Sequence, residues 1–557
     1  MLVLALPSRF PLRFLIALAL GVLHAAAFID DHAWPIEIAA LSGLAALAAR
    51  AAVEIDGSVG SRRAAFGGAR VGFAFGLGWF VTGVSWIYIS LHTYGEMNAL
   101  VAGAAVLLFS CYLALYPALA CAAFAWFRHI RVQVRQPVYG QEGEHSLAPG
   151  TIASVATFAA LWSLSEIARG YVFTGFPWLA SGYAHIASPL AGYAPLLGVY
   201  GVSMAAAAIA AALALAASRI PRSRDARREP ERGSTSSRTR LAFVVGIVFG
   251  LPLIGSGLAH IDWSKPSGTP IRVRLLQGNV AQDVKFDASR FDGIAEGYLK
   301  QIEAGRADLI VLPETAFTRL LGNLPAAIGE RLVRDARNKN AAIAFGVPIS
   351  EGNERYFNSV IALASGADLT AQRYDKSHLV PFGEFVPLGF HWFVRLMKMP
   401  LGDFTRGSID QQPMRLAGQR VAFNICYEDL FGEEIIRQAG DANILVNVSN
   451  VAWFGDSMAL PQHLDISRMR AIETARPMLR ATNTGMTAAI DPHGRVLAQL
   501  APFTAGSLDV SVQGMTGLTP YIRFGNAGVF VLIVVLLAGS LVSVRPRSPN
   551  DIRSIDL

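Results

Sequence analysis

Three stretches of this 557-residue chain hold side chains that could together move an acyl group. LIVLPETAF, which ends at Phe317, contains Glu314; RYDKSHLVPFGEFVP, from Arg373 to Pro387, contains Lys376; and VAFNICYEDLF, from Val421 to Phe431, contains Cys426. Cys426 follows an apolar, β-branched run and precedes a helix-forming one. A thiol on such a turn is exposed to substrate, and a helix N-terminus and a nearby cation favour its thiolate. A lysine beside an attacked carbonyl stabilises the developing oxyanion. Glu314 closes a buried apolar run, where desolvation is expected to raise its pKa and suit it to take and return the thiol proton. Singly, each has a blander reading: a packing cysteine, a solvated surface lysine, a capping or surface carboxylate.

The elements that must deliver these groups alternate between two periodicities. Strands are expected over 271–280, 308–314, 341–349, 421–428 and 442–450, and amphipathic helices over 291–305, 326–340 and 431–440. Alternation at this spacing argues an α/β domain whose sheets are covered by helices. Glu314 and Cys426 then sit at strand ends.

The rest of the chain is written for lipid. Hydrophobic residues make up 53% and charged residues 16%, against about 25% charged in soluble domains. Apolar runs long enough to span a bilayer, roughly 20 residues, are expected near 12–28, 34–53, 70–91, 97–127, 150–171, 193–217, 241–260 and 525–543. Seven precede the α/β segment and one follows it. This divides the chain into 1–261 (membrane helices one to seven), 262–523 (catalytic domain) and 524–557 (helix eight and a tail). The net charge of +7 is carried by arginines in short loops, which is how topology is specified and not how a nucleic-acid groove is built. Arg9 and Arg13, Arg62 and Arg63, Arg128 and Arg131, the run from Arg219 to Arg240, and Arg545 and Arg547 all fall on alternate loops. The positive-inside rule then places both termini in the cytoplasm and the 262–523 segment on the opposite face. The apolar N-terminal run is read as a retained span, and the Arg219–Arg240 loop as a topology determinant. Cys111 and Cys121 lie in one apolar span, so Cys426 stands as a free thiol.

The joint pattern of LPE, then YDKSHLVPFGEFVP, then CYED resembles the nitrilase superfamily. With LLQGN (275–279), GFPWL (175–179), SNVAWFGDS (449–457) and the apolar spans, the chain resembles the bacterial apolipoprotein N-acyltransferases over nearly its whole length. That resemblance implies a nitrilase-like α-β-β-α sandwich on a polytopic helical membrane domain of the inner membrane, with the catalytic domain periplasmic. It implies a catalytic triad of Glu314, Lys376 and Cys426, with a second glutamate at Glu384, and Tyr427 and Glu428 matching the positions after the nucleophile. The implied reaction is ping-pong. Cys426 takes an acyl chain from a membrane phospholipid, typically phosphatidylethanolamine, as a thioester. The α-amino group of the diacylglyceryl-cysteine of an apolipoprotein then accepts it. No metal or organic cofactor is implied, no nucleic acid partner, and a monomer is expected. Val451 departs from the small polar residue expected in SNVAWFGDS.

Two lipid-anchored substrates require a site open to the bilayer. The run 387–404, with Trp392 among its apolar residues, reads as an arm dipping into the interface, and Trp453 and Phe454 as closing an acyl pocket. Trp178 and Trp263 read as interface-belt residues. Arg470, Glu473 and Arg476 read as structural pairs. Two rivals use the same residues. One is a membrane-tethered amidase in which water deacylates the thioester. The other is a receptor or transporter whose outer domain only binds, with Glu166 and Arg169 as its intramembrane charges.

Overall fold

The computed structural model describes residues 10–51, 61–134, 148–217, 235–364, 371–386 and 404–542. Eight helices occupy the expected apolar runs: α1 (Phe10–Ala26), α2 (Trp34–Ala51), α3 (Ser61–Gly83), α4 (Ala99–Val134), α5 (Ala148–Tyr171), α6 (Ala194–Ala217), α7 (Thr235–Leu258) and, after the α/β segment, an apolar helix at Ala527–Val542. Five of them, α3 to α7, are long and apolar enough to cross a membrane, while α1 and the last helix are apolar but shorter. The third lies earlier than its apolar run implied. It starts at Ser61, taking Arg62 and Arg63 into its first turn, and stops at Gly83, after which Ser90–Tyr94 form a π-helical turn.

Small residues set how α3 and α4 meet. Gly68, Gly72 and Gly76 recur every four residues along one stripe of α3. A methyl group at Gly72 would lie 2.8 Å from Ala118 Cα, and one at Gly76 2.6 Å from Pro117 Cγ. The backbones therefore approach as closely as glycine permits, the form of packing that substitutes for hydrophobic drive between helices in lipid.

The α/β segment contains two six-stranded sheets. The strands of the first are β1 (Ile271–Gln277), β2 (Leu309–Val311), β3 (Ala342–Ser350), β4 (Tyr356–Leu363), β5 (Ala371–Asp375) and a late strand, Gly506–Val512, that pairs with β1. The second contains β6 (Met414–Leu416), β7 (Gln419–Ile425), β8 (Ile444–Ser449), β9 (Met478–Thr482), β10 (Ala488–Ile490) and β11 (Val496–Gln499). Each sheet has a parallel centre, with Val273 beside Leu309 and Leu309 beside Ala342 in one, and Phe423 beside Val446 and Val446 beside Leu479 in the other. The inner faces share one core in which Val273, Leu275 and Val311 pack with Phe423, Val446 and Leu479. On the outer faces lie α8 (Phe291–Glu303) and α9 (Ala326–Lys339) against the first sheet, and α10 (Gly432–Ala439) and α11 (Ala459–Thr474) against the second. The result is a layered α-β-β-α sandwich: the covered sheets follow the alternating pattern, and the four-layer order is the one that the resemblance implied.

The sandwich and the membrane helices are not separate cores. One apolar cluster runs from Phe75, Trp79 and Trp162 of α3 and α5 through Trp178 to Tyr427, Leu430, Ile466 and Met469. The last four belong to the turn after β7 and to α11. On the sandwich side, burial of Leu430, Ile466 and Met469 from water contributes about 1.5–3 kcal/mol each relative to exposure.

Candidate active site

Three strand ends place the three groups. Glu314 lies three residues beyond β2. Its turn presses on β3 at Gly346, where a side chain would meet Pro313 O at 2.6 Å and Glu314 Cα at 2.8 Å. The following residue, Thr315, has φ +46°. Lys376 follows β5 directly, and its backbone N–H donates to Asn358 O at 2.8 Å, continuing the β4–β5 ladder by one rung. Cys426 opens a short 3-10 turn (Cys426–Leu430) after β7 with φ +54°, a left-handed conformation that costs a non-glycine residue energy and persists only where neighbours enforce it. Here Asn447 Nδ2 donates to Cys426 O at 3.1 Å, and His463 Nε2 lies 3.3 Å from the same oxygen.

The side chains converge. Lys376 Nζ is 3.4 Å from Glu314 Oε1 and 2.9 Å from Glu384. Asn358 Nδ2 donates to both carboxylates, at 2.7 Å to Glu314 and 2.9 Å to Glu384. The second Glu314 oxygen accepts from the Asn450 backbone N–H at 2.8 Å. Cys426 feels the charges of Glu314, Lys376 and Glu384. Glu314 and Lys376 are buried, whereas Cys426 is partly exposed.

The electrostatics reverse two expectations. Burial does push the Glu314 carboxyl up, but the Lys376 ammonium, the Asn358 amide, Lys285 and the Asn450 N–H together outweigh it and leave the pKa below the ordinary value. Burial pushes the Cys426 thiol up and the Glu314 charge pushes it further, so the lowering by Lys376 does not prevail. The resting pair is therefore a carboxylate and a protonated thiol. Lys376 stays charged, because Glu384 and Glu314 overcome the effect of its burial.

Glu428 fastens the lysine loop to the cysteine turn. Its Oε1 accepts from Ser377 N at 2.6 Å, Ser377 Oγ at 2.7 Å and His378 N at 3.0 Å, and its Oε2 from Ile425 N at 2.6 Å and Tyr374 Oη at 2.9 Å. Five donors on one buried carboxylate fix the residues on either side of Lys376 and Cys426 relative to each other. Behind the turn, Asp429 pairs with His463 at 3.0 Å and with Arg480 at 3.1 Å. Arg480 also donates to His463 Nδ1 at 3.0 Å, so the His463 proton resides on Nε2, facing Asp429 and the Cys426 carbonyl.

The helical domain reaches this turn. Tyr427 Oη donates to Gly175 O at 2.9 Å. Arg169, near the end of α5, holds the same loop by donating to Phe176 O at 2.7 Å and Trp178 O at 2.5 Å, and Glu166 accepts from Ser181 N at 2.9 Å. Trp178 is not an interface-belt residue: it is 2% exposed, donates to Gln462 Oε1 at 2.7 Å, and stacks on His463. Phe454 packs on Trp86 with ring centres 4.4 Å apart, and Trp453 is partly exposed with its carbonyl held by Ser90 Oγ at 2.7 Å. Val451 is buried against Gly485. Arg470 pairs with Glu473 at 3.0 Å, but Arg476 instead donates to the carbonyls of Ala442 and Gly517. Trp392 and the 387–403 part of the expected arm lie outside the described residues.

Motif reading passed over four residues that shape the site: Gln282, Lys285, Asn358 and Asn450. The signal for Asn358 was present as two polar residues, Asn358 and Ser359, inside an apolar strand; Lys285 carries no comparable mark.

Comparison with known proteins adds to this geometry. Residues 272–521 match the carbon-nitrogen hydrolase family, and residues 20–212 match the apolipoprotein N-acyltransferase N-terminal domain. The chain is 48% identical over 538 residues to an apolipoprotein N-acyltransferase of Ralstonia nicotianae, covering 94% of each chain. It is 42% identical over 540 residues to one of Nitrosomonas europaea, covering 96% of this chain and 98% of that one. Among solved structures, an amidase from Nesterenkonia sp. aligns with 48% of this chain and 97% of its own at 20% identity and a TM-score of 0.35.

Proposed function

This chain belongs to the apolipoprotein N-acyltransferase family, and on that premise we propose that Cys426 is the residue that carries the acyl group between its lipid substrates. In this reading the sulfur adds to the carbonyl of a phospholipid ester as Glu314 takes the thiol proton. The Lys376 ammonium has three N–H groups; two face Glu384 and Glu314, and the third is free to face the oxyanion. Collapse of the intermediate breaks the ester C–O bond, the lysophospholipid oxygen takes the proton from Glu314, and a thioester remains. The α-amine of a diacylglyceryl-cysteine then attacks, Glu314 takes one of its protons, and the Cys426 sulfur leaves and is reprotonated. The product is an N-acylated lipoprotein. Phosphatidylethanolamine is the proposed donor.

The observation that carries this reading is the cluster that Lys376 forms with Glu314 and Glu384, whose charges all act on Cys426. Because the thiol rests protonated beside an ionised base, deprotonation is coupled to attack, which limits reaction of the resting thiol with water-borne electrophiles. The Arg-bearing loops support placing both termini in the cytoplasm and the sandwich on the periplasmic face of a bacterial inner membrane. A monomer is the proposed state.

Mass spectrometry of the full-length protein incubated with phosphatidylethanolamine vesicles tests the proposal. An acyl adduct should form on Cys426 and should be released by a diacylglyceryl peptide with a free amine. Cys426→Ala should abolish the adduct, and Glu314→Gln and Lys376→Met should slow it by about 10⁴-fold or more, because such groups act as a unit. An adduct elsewhere in the chain, or release by water as fast as by the peptide, would sink the proposal.

A further inference from the structure

Lys285 closes a four-residue helical turn, Gln282–Lys285, between β1 and α8, and it is 2% exposed. Its Nζ donates to the main-chain oxygen of Glu314 at 3.0 Å. Burying an ammonium is costly unless other charges compensate it, and the charge that does so here is the Glu314 carboxylate. The same turn also reaches the Glu314 carboxylate. Gln282 Oε1 accepts from Asn450 Nδ2 at 2.9 Å, and the Asn450 backbone N–H donates to Glu314 Oε2 at 2.8 Å. One turn therefore grips Glu314 at its carbonyl directly and at its carboxylate through Asn450.

The charge count gives this contact a role beyond bracing. Lys376 and Lys285 oppose Glu314 and Glu384, so the buried cluster sums to zero. Moving the thiol proton to Glu314 while an oxyanion forms leaves the sum at zero. Without Lys285 the same cluster would be net negative, and a negative, desolvated site resists both an ionised Glu314 and a new oxyanion.

We propose that Lys285 is a second cation of the acyl-transfer site, a positioning residue that anchors Glu314 through its carbonyl and keeps the Glu314 carboxylate charged while Cys426 is acylated. The inference rests on the assignment of Cys426 as the acyl carrier. Burial lowers the Lys285 pKa to about 8 against the opposing pull of Glu314, so the group is cationic at neutral pH.

The test is single-turnover acylation of Cys426 by phosphatidylethanolamine vesicles, followed by mass spectrometry across pH. The groups facing Glu314 are Lys376 from the loop after β5, Glu384 through Asn358 of β4, Cys426 from the turn after β7, and Lys285 itself. Lys285→Met should slow acylation about 100-fold and move the acid limb of the profile up by about one pH unit or more, since removal of a cation makes Glu314 harder to ionise. Lys285→Gln retains an N–H for the Glu314 carbonyl while losing the charge. It should fold and show the same displaced limb. Lys285→Arg should recover most of the rate. A Lys285→Gln profile that superimposes on wild type overturns the proposal, and so does a slow Lys285→Met enzyme whose acid limb has not moved. An adduct that persists in Cys426→Ala would overturn the acyl-carrier assignment itself, a result distinct from any behaviour of Lys285.

Discussion

The hydroxyl of Tyr427 donates to the carbonyl oxygen of Gly175 at 2.9 Å, tying the residue after Cys426 to a loop of the helical domain. Gly175 is buried, so no water replaces the donor if the hydroxyl is lost. Tyr427→Phe should destabilise the folded protein by about 1–3 kcal/mol, the cost of a buried unsatisfied acceptor, and slow acylation of Cys426 roughly tenfold by loosening the turn. Thermal unfolding and single-turnover acylation check the two effects. Wild-type acylation in the variant would show that the turn holds its shape without the helical domain.

Glu428 should tolerate no conservative change. An amide in its place offers only one oxygen to the five donors and brings two hydrogens of its own against them. Glu428→Gln should lower stability by about 1–3 kcal/mol and slow acylation by about 100-fold or more, because the Lys376 loop and the Cys426 turn lose their common anchor. Retention of the wild-type rate would show that the loop is positioned by its other contacts.

Gly346→Ala probes the other side of the site. The added methyl would press on Pro313 O and Glu314 Cα, and backbone cannot swing aside as a flexible side chain would. A shift of Glu314 by a few tenths of an ångström should slow acylation by about 10–100-fold, with little change in the lipid concentration that gives half-maximal rate. An unchanged rate would mean that the turn at Thr315 absorbs the methyl group.

The direction of the Glu314 shift sets the response to acid. A base held below the ordinary carboxylate pKa remains ionised as pH falls through that ordinary value and is protonated only further down. Acylation should therefore persist through about pH 4.3, the ordinary glutamate value, and fail only further into acid, measured with vesicles of fixed composition. The raised Cys426 pKa makes the complementary prediction: alkylation of Cys426 by iodoacetamide should be slow at pH 7 and accelerate as the solution becomes alkaline. Rapid alkylation at pH 7 would contradict a protonated resting thiol.

The parts of the site that sequence made legible are those carried by strand ends within recognisable motifs. Glu314 and Cys426 follow apolar, β-branched runs, and both runs became interior strands, β2 parallel to both neighbours and β7 parallel to β8. Lys376 was legible through its motif alone, because β5 is an edge strand with mixed polarity. The eight apolar helices were visible for the same reason that they are stable in lipid. Their limits were less clear: α3 extends back through Arg62 and Arg63 because an arginine at a helix end costs little where its side chain reaches water. The partners of the central groups were not legible. Asn450 and Gln282 act through amides placed by tertiary packing, and nothing local distinguishes such an amide from a surface one; Asn358 is marked only by its polarity within an apolar strand. Burial alone predicts the wrong direction for Glu314, because the cations that oppose it, Lys376 and Lys285, come from distant parts of the chain.

The apolar cluster joining α3 and α5 to Tyr427, Leu430, Ile466 and Met469 has a consequence for how this enzyme can be handled and altered. The floor beneath the cysteine turn is furnished by helices from the other end of the chain. Excising residues 262–523 would not liberate a miniature catalyst; it would strip the underside of that turn and leave a sticky face in its place. Detergents that pry the helices apart should then inactivate the enzyme before the sandwich itself melts.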